Sequence, residues 1–244
     1  VPSRDRQKVP REDGHMTAFF RFPRTPHIAW LGEGKPRDDK VLAPHEVQEL
    51  LAHDLVVEEK ADGANLGFSV DEHGALRAQN RGKYLPLDDG DGQWKPLKRW
   101  LGPRRDDLTD ALFPDLMLFG EWCYAVHSLR YTRLPDWFLA FDVYDHAEGK
   151  FWSAERRNGL ASKLGLAVVP ALASGRFDLV GLRALLGGSQ LTDGPAEGLC
   201  VRRDAGDHLV ARAKLVRREF VQAIDEHWSK RPLETNALAA NVAG

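Results

Sequence analysis

The stretch that most constrains the fold runs from Val56 to Phe68. It starts with apolar residues typical of a buried strand, carries Lys60 at the end of that strand, and continues into Asp62 and Gly63. Aspartate can hydrogen-bond its own backbone in a tight turn, and glycine tolerates a positive φ. The pattern therefore predicts a strand that ends at Lys60, then a turn whose backbone a second group can approach closely.

Lys60 is a candidate nucleophile. A free lysine amine has a pKa near ~10.4, so at neutral pH it is protonated and cannot attack phosphorus. Cationic neighbours or a metal ion would have to lower that pKa. We therefore expect the rest of the chain to supply such neighbours. Taken alone, the Lys-x-Asp-Gly pattern also fits a surface turn with a solvated lysine.

Composition excludes several classes of protein. A chain of 244 residues can bury a core as one domain, and 43% hydrophobic with 29% charged residues is ordinary for a soluble globular protein. No run approaches the ~18 apolar residues of a membrane helix, and the start lacks the apolar core of a signal peptide. The two cysteines, Cys123 and Cys200, exclude a disulfide scaffold and favour a reducing cytoplasm.

Charge is distributed unevenly along the chain. The net charge of −2 argues against a protein that coats nucleic acid without specificity. Residues 77–105, however, carry eight cations against three anions, and residues 202–218 carry six against two. Each run fits either a phosphate-binding surface or an ordinary solvated face.

Periodicity and turn residues predict a mixed chain of helices and strands. We expect residues 1–15 to be a vector-derived or disordered leader, residues 16–232 to form a single domain, and residues 233–244 to be an alanine-rich tail. The segment 20–30, rich in proline and aromatic residues, should be irregular but packed. The predicted helices are 44–53, 94–101, 154–164, 179–186 and 220–228, and the predicted strands are 56–60, 65–70, 75–80, 116–119, 137–143, 166–170, 198–201 and 208–215.

Several short motifs follow one another along the chain and together resemble a known superfamily. They are Lys60-Ala61-Asp62-Gly63, Arg81, Gly120-Glu121-Trp122, Phe141-Asp142-Val143, Glu197-Gly198-Leu199-Cys200-Val201-Arg202, and Arg212-Ala213-Lys214. Their order resembles the motifs of the covalent nucleotidyltransferases, which include polynucleotide ligases and messenger-RNA capping enzymes. Within this superfamily the chain is most similar to nick-sealing RNA ligases, through the Glu-Lys-x-Asp-Gly-x-Asn motif at 59–65 and the Gly-Glu-Trp motif followed by Tyr124, His127 and Tyr131.

The resemblance spans roughly residues 19–220 and implies both a fold and an activity. The fold is α+β, a nucleotidyltransferase domain of two packed, mostly antiparallel sheets flanked by helices. The activity is ATP-dependent RNA ligation: AMP is transferred from ATP to the lysine, then to a 5′-phosphate end, and a 3′-hydroxyl displaces it. It further implies ATP and Mg²⁺, or Mn²⁺, as cofactors, RNA ends or a nicked duplex as partners, and a role in RNA repair.

The resemblance also implies the roles of the main site residues. Lys60, Lys214 and Glu197 are the expected catalytic residues, with Glu197 binding the metal ion. Lys214 and Arg212 should contact the α-phosphate and lower the pKa of Lys60, since residues two apart in a strand share a face. Glu121 is expected at the ribose hydroxyls.

The other implied contacts lie around this centre. Phe141 should stack on the purine, although plain core packing explains it as well. His127 is either catalytic or a structural hydrogen-bonding histidine. The expected nucleotide contacts include Glu59, Asp62, Gly63 and Arg81, and the expected contacts to RNA ends are Asn65, Asp142 and Arg202.

Three other functions stay open at this point. Larger relatives add a C-terminal domain, whereas only about thirty residues follow Lys214, so we expect a minimal form without that addition. A DNA ligase or a capping-type guanylyltransferase shares the motif order but is disfavoured by the missing barrel. A non-catalytic RNA-binding relative is disfavoured by the intact set of Lys60, Glu121, Glu197 and Lys214.

Overall fold

The computed structural model describes residues 19–33, 40–222 and 232–240. In these ranges the chain forms two antiparallel sheets with helices on their outer faces, which confirms the predicted α+β class. The leader expected at 1–15 lies outside the described residues. The closing helix predicted at 220–228 begins earlier, as α6 (Arg218–Gln222). Residues 223–228 of the predicted range lie outside the described residues.

The first sheet has four strands in the order β10-β9-β1-β8. These strands are β1 (Leu55–Lys60), β8 (Ala171–Gly175), β9 (Gly198–Ala205) and β10 (His208–Val216). One face is apolar and packs against α1 (Pro44–Leu51) and α5 (Leu179–Ala184). Pro44 starts α1 because proline fixes a helical φ at a position whose N–H needs no partner within the helix.

The opposite face of the first sheet is polar. Lys60 pairs with Gly198 and Glu58 with Cys200 across β1 and β9, and Lys214 pairs with Cys200 across β9 and β10. Because strand residues alternate between faces, Glu58, Lys60, Arg212 and Lys214 project from the same side. This polar side faces the second sheet, and we call the space between the two sheets the cleft.

The second sheet has six strands in the order β4-β3-β2-β5-β6-β7. They are β2 (Ala64–Val70), β3 (Leu76–Gln79), β4 (Tyr84–Leu85), β5 (Leu116–Trp122), β6 (Phe138–Asp145) and β7 (Lys150–Phe151). Its outer face packs on α2 (Leu97–Leu101), α3 (Arg105–Leu112) and α4 (Ala154–Lys163). Helix α3 escapes prediction because its sequence is mostly polar and only Leu108 and Leu112 are buried.

The strand predicted at 166–170 is wrong in its position. Strand β8 starts one residue later, at Ala171, and pairs with β1. Pro170 has no N–H to donate to a ladder, so it ends the preceding segment, and its carbonyl accepts the N–H of Glu59 at 2.8 Å. The preceding segment instead forms one isolated bridge, between Val168 and Ala140 of β6.

Segments outside the sheets close the sides of the body. The irregular, packed segment predicted at 20–30 bonds to both sheets, since the N–H of Ile28 donates to Lys214 and the side-chain amide of Gln79 donates to Phe20. Residues 232–240, expected as part of a tail, pack on the body with Asn236 5% exposed. No helix within the described ranges is long and apolar enough to cross a bilayer.

Buried ion pairs join the two sheets. Arg157 of α4 donates to Glu58 of β1 at 2.5 Å, and these side chains are only 1% and 2% exposed. Arg202 of β9 donates to Asp142 of β6 at 2.6 Å, and Arg212 of β10 pairs with the other oxygen of that carboxylate. The carboxylates thus hold cations from the first sheet and from α4 in one arrangement.

Truncating one partner of this network should destabilise the protein strongly. Arg157→Met leaves the buried carboxylate of Glu58 without its nearest cation, and we expect the free energy of unfolding to fall by about 3–5 kcal/mol. Replacing both residues by Met should recover much of that loss. Arg176→Ala is the control, because its pair with Asp54 is largely exposed and should be worth less than about 1 kcal/mol. A small effect of Arg157→Met in urea titrations would contradict this account.

Candidate active site

Lys60 lies at the end of β1 in the cleft, in contact with a carboxylate. Its Nζ donates to Oε2 of Glu197 at 2.5 Å, and the two side chains are 24% and 13% exposed. Glu197 directly precedes β9, and the register pairs Lys60 with Gly198. A Cβ at Gly198 would come within 2.3 Å of the carbonyl oxygen of Leu215, so only glycine allows the close packing that places Glu197 beside the lysine.

The turn after Lys60 brings a second carboxylate to the site. The N–H of Gly63 donates to Oε1 of Glu121 at 3.1 Å, and a Cβ at Gly63 would meet the carbonyl oxygen of Trp122 at 2.6 Å. Asp62 accepts the N–H groups of residues 128 and 129 at 2.6 and 2.9 Å. Asp62 and Gly63 therefore fix the turn against β5 and the loop that follows it.

The carboxylates around Lys60 determine its protonation. Burial by itself would lower the pKa of Lys60, but the negative charges of Glu197, Glu121 and Asp62 outweigh it and raise the pKa above its usual value. The expectation that Lys214 and Arg212 lower this pKa is therefore wrong for this structure. The motif order indicates that cations lie near Lys60, but it does not show that the carboxylates of Glu197, Glu121 and Asp62 surround the amine.

Glu121 and Glu197 titrate near neutral pH. Burial raises the pKa of each carboxyl to about 7, against the opposing effect of Lys60. Among the described residues no group of three or more metal-ligating side chains occurs. Magnesium commonly keeps several waters and takes one or two carboxylates, so the oxygen donors of Glu121 and Glu197 fit such an ion.

The two arginines expected in the site are both held by Asp142. The Arg212 guanidinium pairs with this carboxylate and lies 4.5 and 4.3 Å from the ring centres of Phe22 and Phe151. Arg202 is 3% exposed and also donates to backbone carbonyls. The side chains of Asp142 and Arg202 pair with each other and are each only 3% exposed, so the contacts with RNA ends expected for them have no exposed surface through which to act.

Glu59 lies on the opposite side of the sheet from Lys60. Its carboxylate is 1% exposed, accepts the hydroxyl of Ser189 at 2.5 Å, and accepts the N–H of Gln190 at 2.8 Å. Adjacent residues in a strand point to opposite faces, so the side chain cannot reach the cleft. The nucleotide contact expected for this side chain is therefore corrected to an anchor of the loop at 189–190.

The structure brings three other expected residues to the cleft. The charge of Lys214 lowers the pKa of Glu197, and that of Arg81 lowers the pKa of Glu121, although burial is the larger influence on both carboxyls. The β2–β3 hairpin thus returns Arg81 to the Lys60 end, as its strand lengths indicate. Asn65 pairs with Glu121 in register, and its side-chain oxygen is buried without a partner among the described residues.

The roles of Phe141 and His127 stay predictions. Phe141 is half-buried, and its ring contacts that of Phe22 at 5.3 Å between centres, which fits either a base platform or core packing. His127 is hydrogen-bonded with Gln93 at 3.1 Å, and burial lowers its pKa. Sequence reasoning missed Phe22, which forms part of the aromatic cage of Arg212; the aromatic content of segment 20–30 was its only signal.

Comparison with known proteins gives a family and a fold. A model of the RNA ligase family matches residues 53–216. No curated protein matches the chain. The Naegleria gruberi RNA ligase solved with PPi is 19% identical with a TM-score of 0.56, covering 75% of this chain and 54% of that one. A mutant of the same ligase with ATP and Mn is 17% identical with a TM-score of 0.54, covering 73% and 54%.

At these identities the solved structures show a shared fold. The chain spans about half the length of the solved structures it matches, 54% in both cases. The matched region, residues 53–216, contains Lys60, Glu121, Glu197 and Lys214.

The raised pKa of Lys60 predicts a slow reaction of its amine with acylating reagents. Only the neutral amine reacts, and its fraction falls about tenfold for each unit by which the pKa rises. Glu197→Gln removes the nearest negative charge, lowers the pKa of Lys60, and should increase its labelling rate at pH 8 several-fold. Mass spectrometry of the labelled peptides measures this rate, with the exposed Lys163 as internal control. Equal labelling of Lys60 in both proteins would contradict the assignment.

Proposed function

The chain belongs to the RNA ligase family, and from that premise we propose that it is an ATP-dependent RNA ligase. It joins 5′-phosphate and 3′-hydroxyl ends through a covalent lysyl-AMP intermediate. The observation that carries the proposal is the position of Lys60 in the cleft, 2.5 Å from Glu197 and beside the charges of Glu121 and Lys214.

In the first step the Lys60 amine attacks the α-phosphorus of ATP. A phosphorus–nitrogen bond forms, the bond to pyrophosphate breaks, and the amine must lose its proton. The carboxylate of Glu197 is in contact with Nζ, so it can accept that proton once the charges of substrate and metal lower the pKa of the amine. The chain thus supplies both the nucleophile and a nearby base.

Charge around the phosphates governs the same step. Lys214 and Arg81 are the cations proposed to bind phosphate oxygens, and Asp142 with its aromatic neighbours orients Arg212 for the same purpose. A magnesium ion, when bound, would neutralise phosphate charge, and Glu121 and Glu197 are the residues that would hold it. Carboxylates engaged in that way no longer raise the pKa of Lys60.

In the later steps AMP passes to a 5′-phosphate end, and a 3′-hydroxyl displaces it to form the phosphodiester. We propose Glu121 at the ribose hydroxyls, Phe141 at the base, and the half-buried Asn65 at the RNA ends. RNA ends or a nicked duplex are the proposed partners. We also propose a role in RNA repair and a reducing, cytoplasmic location; the free thiols of Cys123 and Cys200 support the location.

The covalent step is tested by incubating the protein with radiolabelled ATP and magnesium. We expect a protein-bound label that withstands denaturation and disappears in Lys60→Ala, because no other amine occupies the same position. Lys163→Ala, at an exposed position on α4, is the control and should label normally. A label that persists in Lys60→Ala would contradict the assignment of Lys60 as the nucleophile. Labelling by GTP and not by ATP would favour a capping-type guanylyltransferase.

The choice of nucleic acid is tested on nicked duplexes whose 3′-hydroxyl strand is RNA or DNA. We expect sealing of the RNA 3′ end at least tenfold faster than of the DNA end, measured by gel electrophoresis. Sealing of DNA ends alone would make the protein a DNA ligase. Binding of RNA with neither adduct nor sealing would indicate a non-catalytic relative.

A further inference from the structure

The turn after Lys60 is supported from behind by a tyrosine hydroxyl. The backbone N–H of Asp62 donates to Oη of Tyr131 at 2.7 Å, and Tyr131 is fully buried. The Asp62 carboxylate accepts two N–H groups from residues 128–129 of the same loop. The two residues after Lys60 therefore take their position from the loop 123–131.

That loop is in turn fixed by one asparagine from the segment 232–240. The side-chain oxygen of Asn236 accepts the N–H of Tyr131 at 2.7 Å, and its amide group donates to the carbonyls of Cys123 and Ala125 at 2.8 and 3.0 Å. The N–H of Ala237 donates to the carbonyl of Tyr131 at 2.9 Å. One 5%-exposed side chain thus ties the start of the loop to its end.

The chemistry of these three bonds requires an amide. The side chain must accept one hydrogen bond and donate two in a buried place, which the amide of asparagine does and a carboxylate does not. A carboxylate at position 236 would face two carbonyl oxygens, and an apolar side chain would leave a buried N–H and two carbonyls without partners.

The residue before Lys60 is anchored to the same region. Glu59 accepts hydrogen bonds from Ser189 and Gln190, and the carbonyl of Leu191 accepts the N–H groups of residues 132 and 133 at 3.2 and 3.0 Å. Both flanks of the nucleophile are therefore fixed outside the cleft, by groups with no hydrogen bond to the amine or to the carboxylate of Glu197.

We propose that Asn236 is a positioning residue for the nucleophile: it fixes the loop 123–131, whose Tyr131 hydroxyl holds the turn that aims Lys60 at the α-phosphate. This inference rests on the proposed function, because it concerns the step in which Lys60 attacks ATP. In-line attack is sensitive to small displacements of the nucleophile, and a shift of about 1 Å costs on the order of 100-fold in rate.

The positioning role of Asn236 predicts which step of ligation slows when its contacts are lost. Attack on ATP needs Lys60 in place as the nucleophile. Sealing of RNA that already carries AMP on its 5′-phosphate does not, since there the 3′-hydroxyl attacks and AMP leaves. Loss of the positioning contacts should therefore slow the attack of Lys60 on ATP and leave the sealing of pre-adenylylated RNA unchanged. A general loss of folded structure would slow both reactions.

The test measures both steps in Tyr131→Phe and Asn236→Asp. Tyr131→Phe keeps the ring and removes only the oxygen that accepts the Asp62 N–H, so it tests the proposal even where Asn236→Asp fails to fold. We expect single-turnover adenylylation at saturating ATP to slow at least tenfold, with the KM for ATP changed less than threefold. Sealing of pre-adenylylated RNA should change less than twofold. The controls are Tyr84→Phe and Leu233→Ala, two largely exposed side chains, the second from the same segment.

Each outcome bears on the proposal. Selective loss of the first step in both variants supports it, and so does selective loss in Tyr131→Phe alone if Asn236→Asp does not fold. Equal loss in both steps, no loss in Tyr131→Phe, or no loss in an Asn236→Asp protein that folds overturns it. A wild-type protein that forms no adduct in the same assay would instead overturn the proposed function.

Discussion

The ion pair between Lys60 and Glu197 is the interaction on which the site depends. It exists because β1 and β9 pair in a register that puts Gly198 opposite Lys60, and because glycine at this position leaves room for the backbone of β10 on the other side of β9. The same pair raises the pKa of the amine, so the nucleophile is held protonated. The proposed chemistry then requires that the carboxylates around Lys60 bind something else, which couples reactivity to the arrival of substrate.

The positions of the two arginines in the site depend on a second interaction, the buried ion network between the sheets. Asp142 accepts from both Arg202 and Arg212, and aromatic rings flank the latter. Buried pairs of this kind contribute little net stability relative to apolar packing, but breaking one is costly. In this protein their consequence is orientation, since Asp142 and two aromatic rings hold the Arg212 guanidinium in place before any phosphate arrives.

The sequence predicts what depends on local pattern and on motif order. The strand that ends at Lys60 and the return of Arg81 by a hairpin follow from periodicity and turn residues. The two-sheet fold follows from the family resemblance that the motif order carries. The errors in the site concern contacts between distant parts of the chain. Glu59, Asp142 and Arg202 each find buried partners from other elements, and the three carboxylates that raise the pKa of Lys60 come from separate elements. No local sequence pattern indicates the role of Asn236, because it bonds to Tyr131, which lies 105 positions earlier in the sequence.

The most direct test of the central claim is to find which side chain carries the nucleotide. Wild-type protein incubated with ATP and magnesium is digested, and the adenylylated peptide is identified by mass spectrometry. The account predicts AMP on the peptide that contains Lys60, at that lysine and no other. AMP on Lys214 or on any other residue, or the absence of an adduct at saturating ATP, would contradict it.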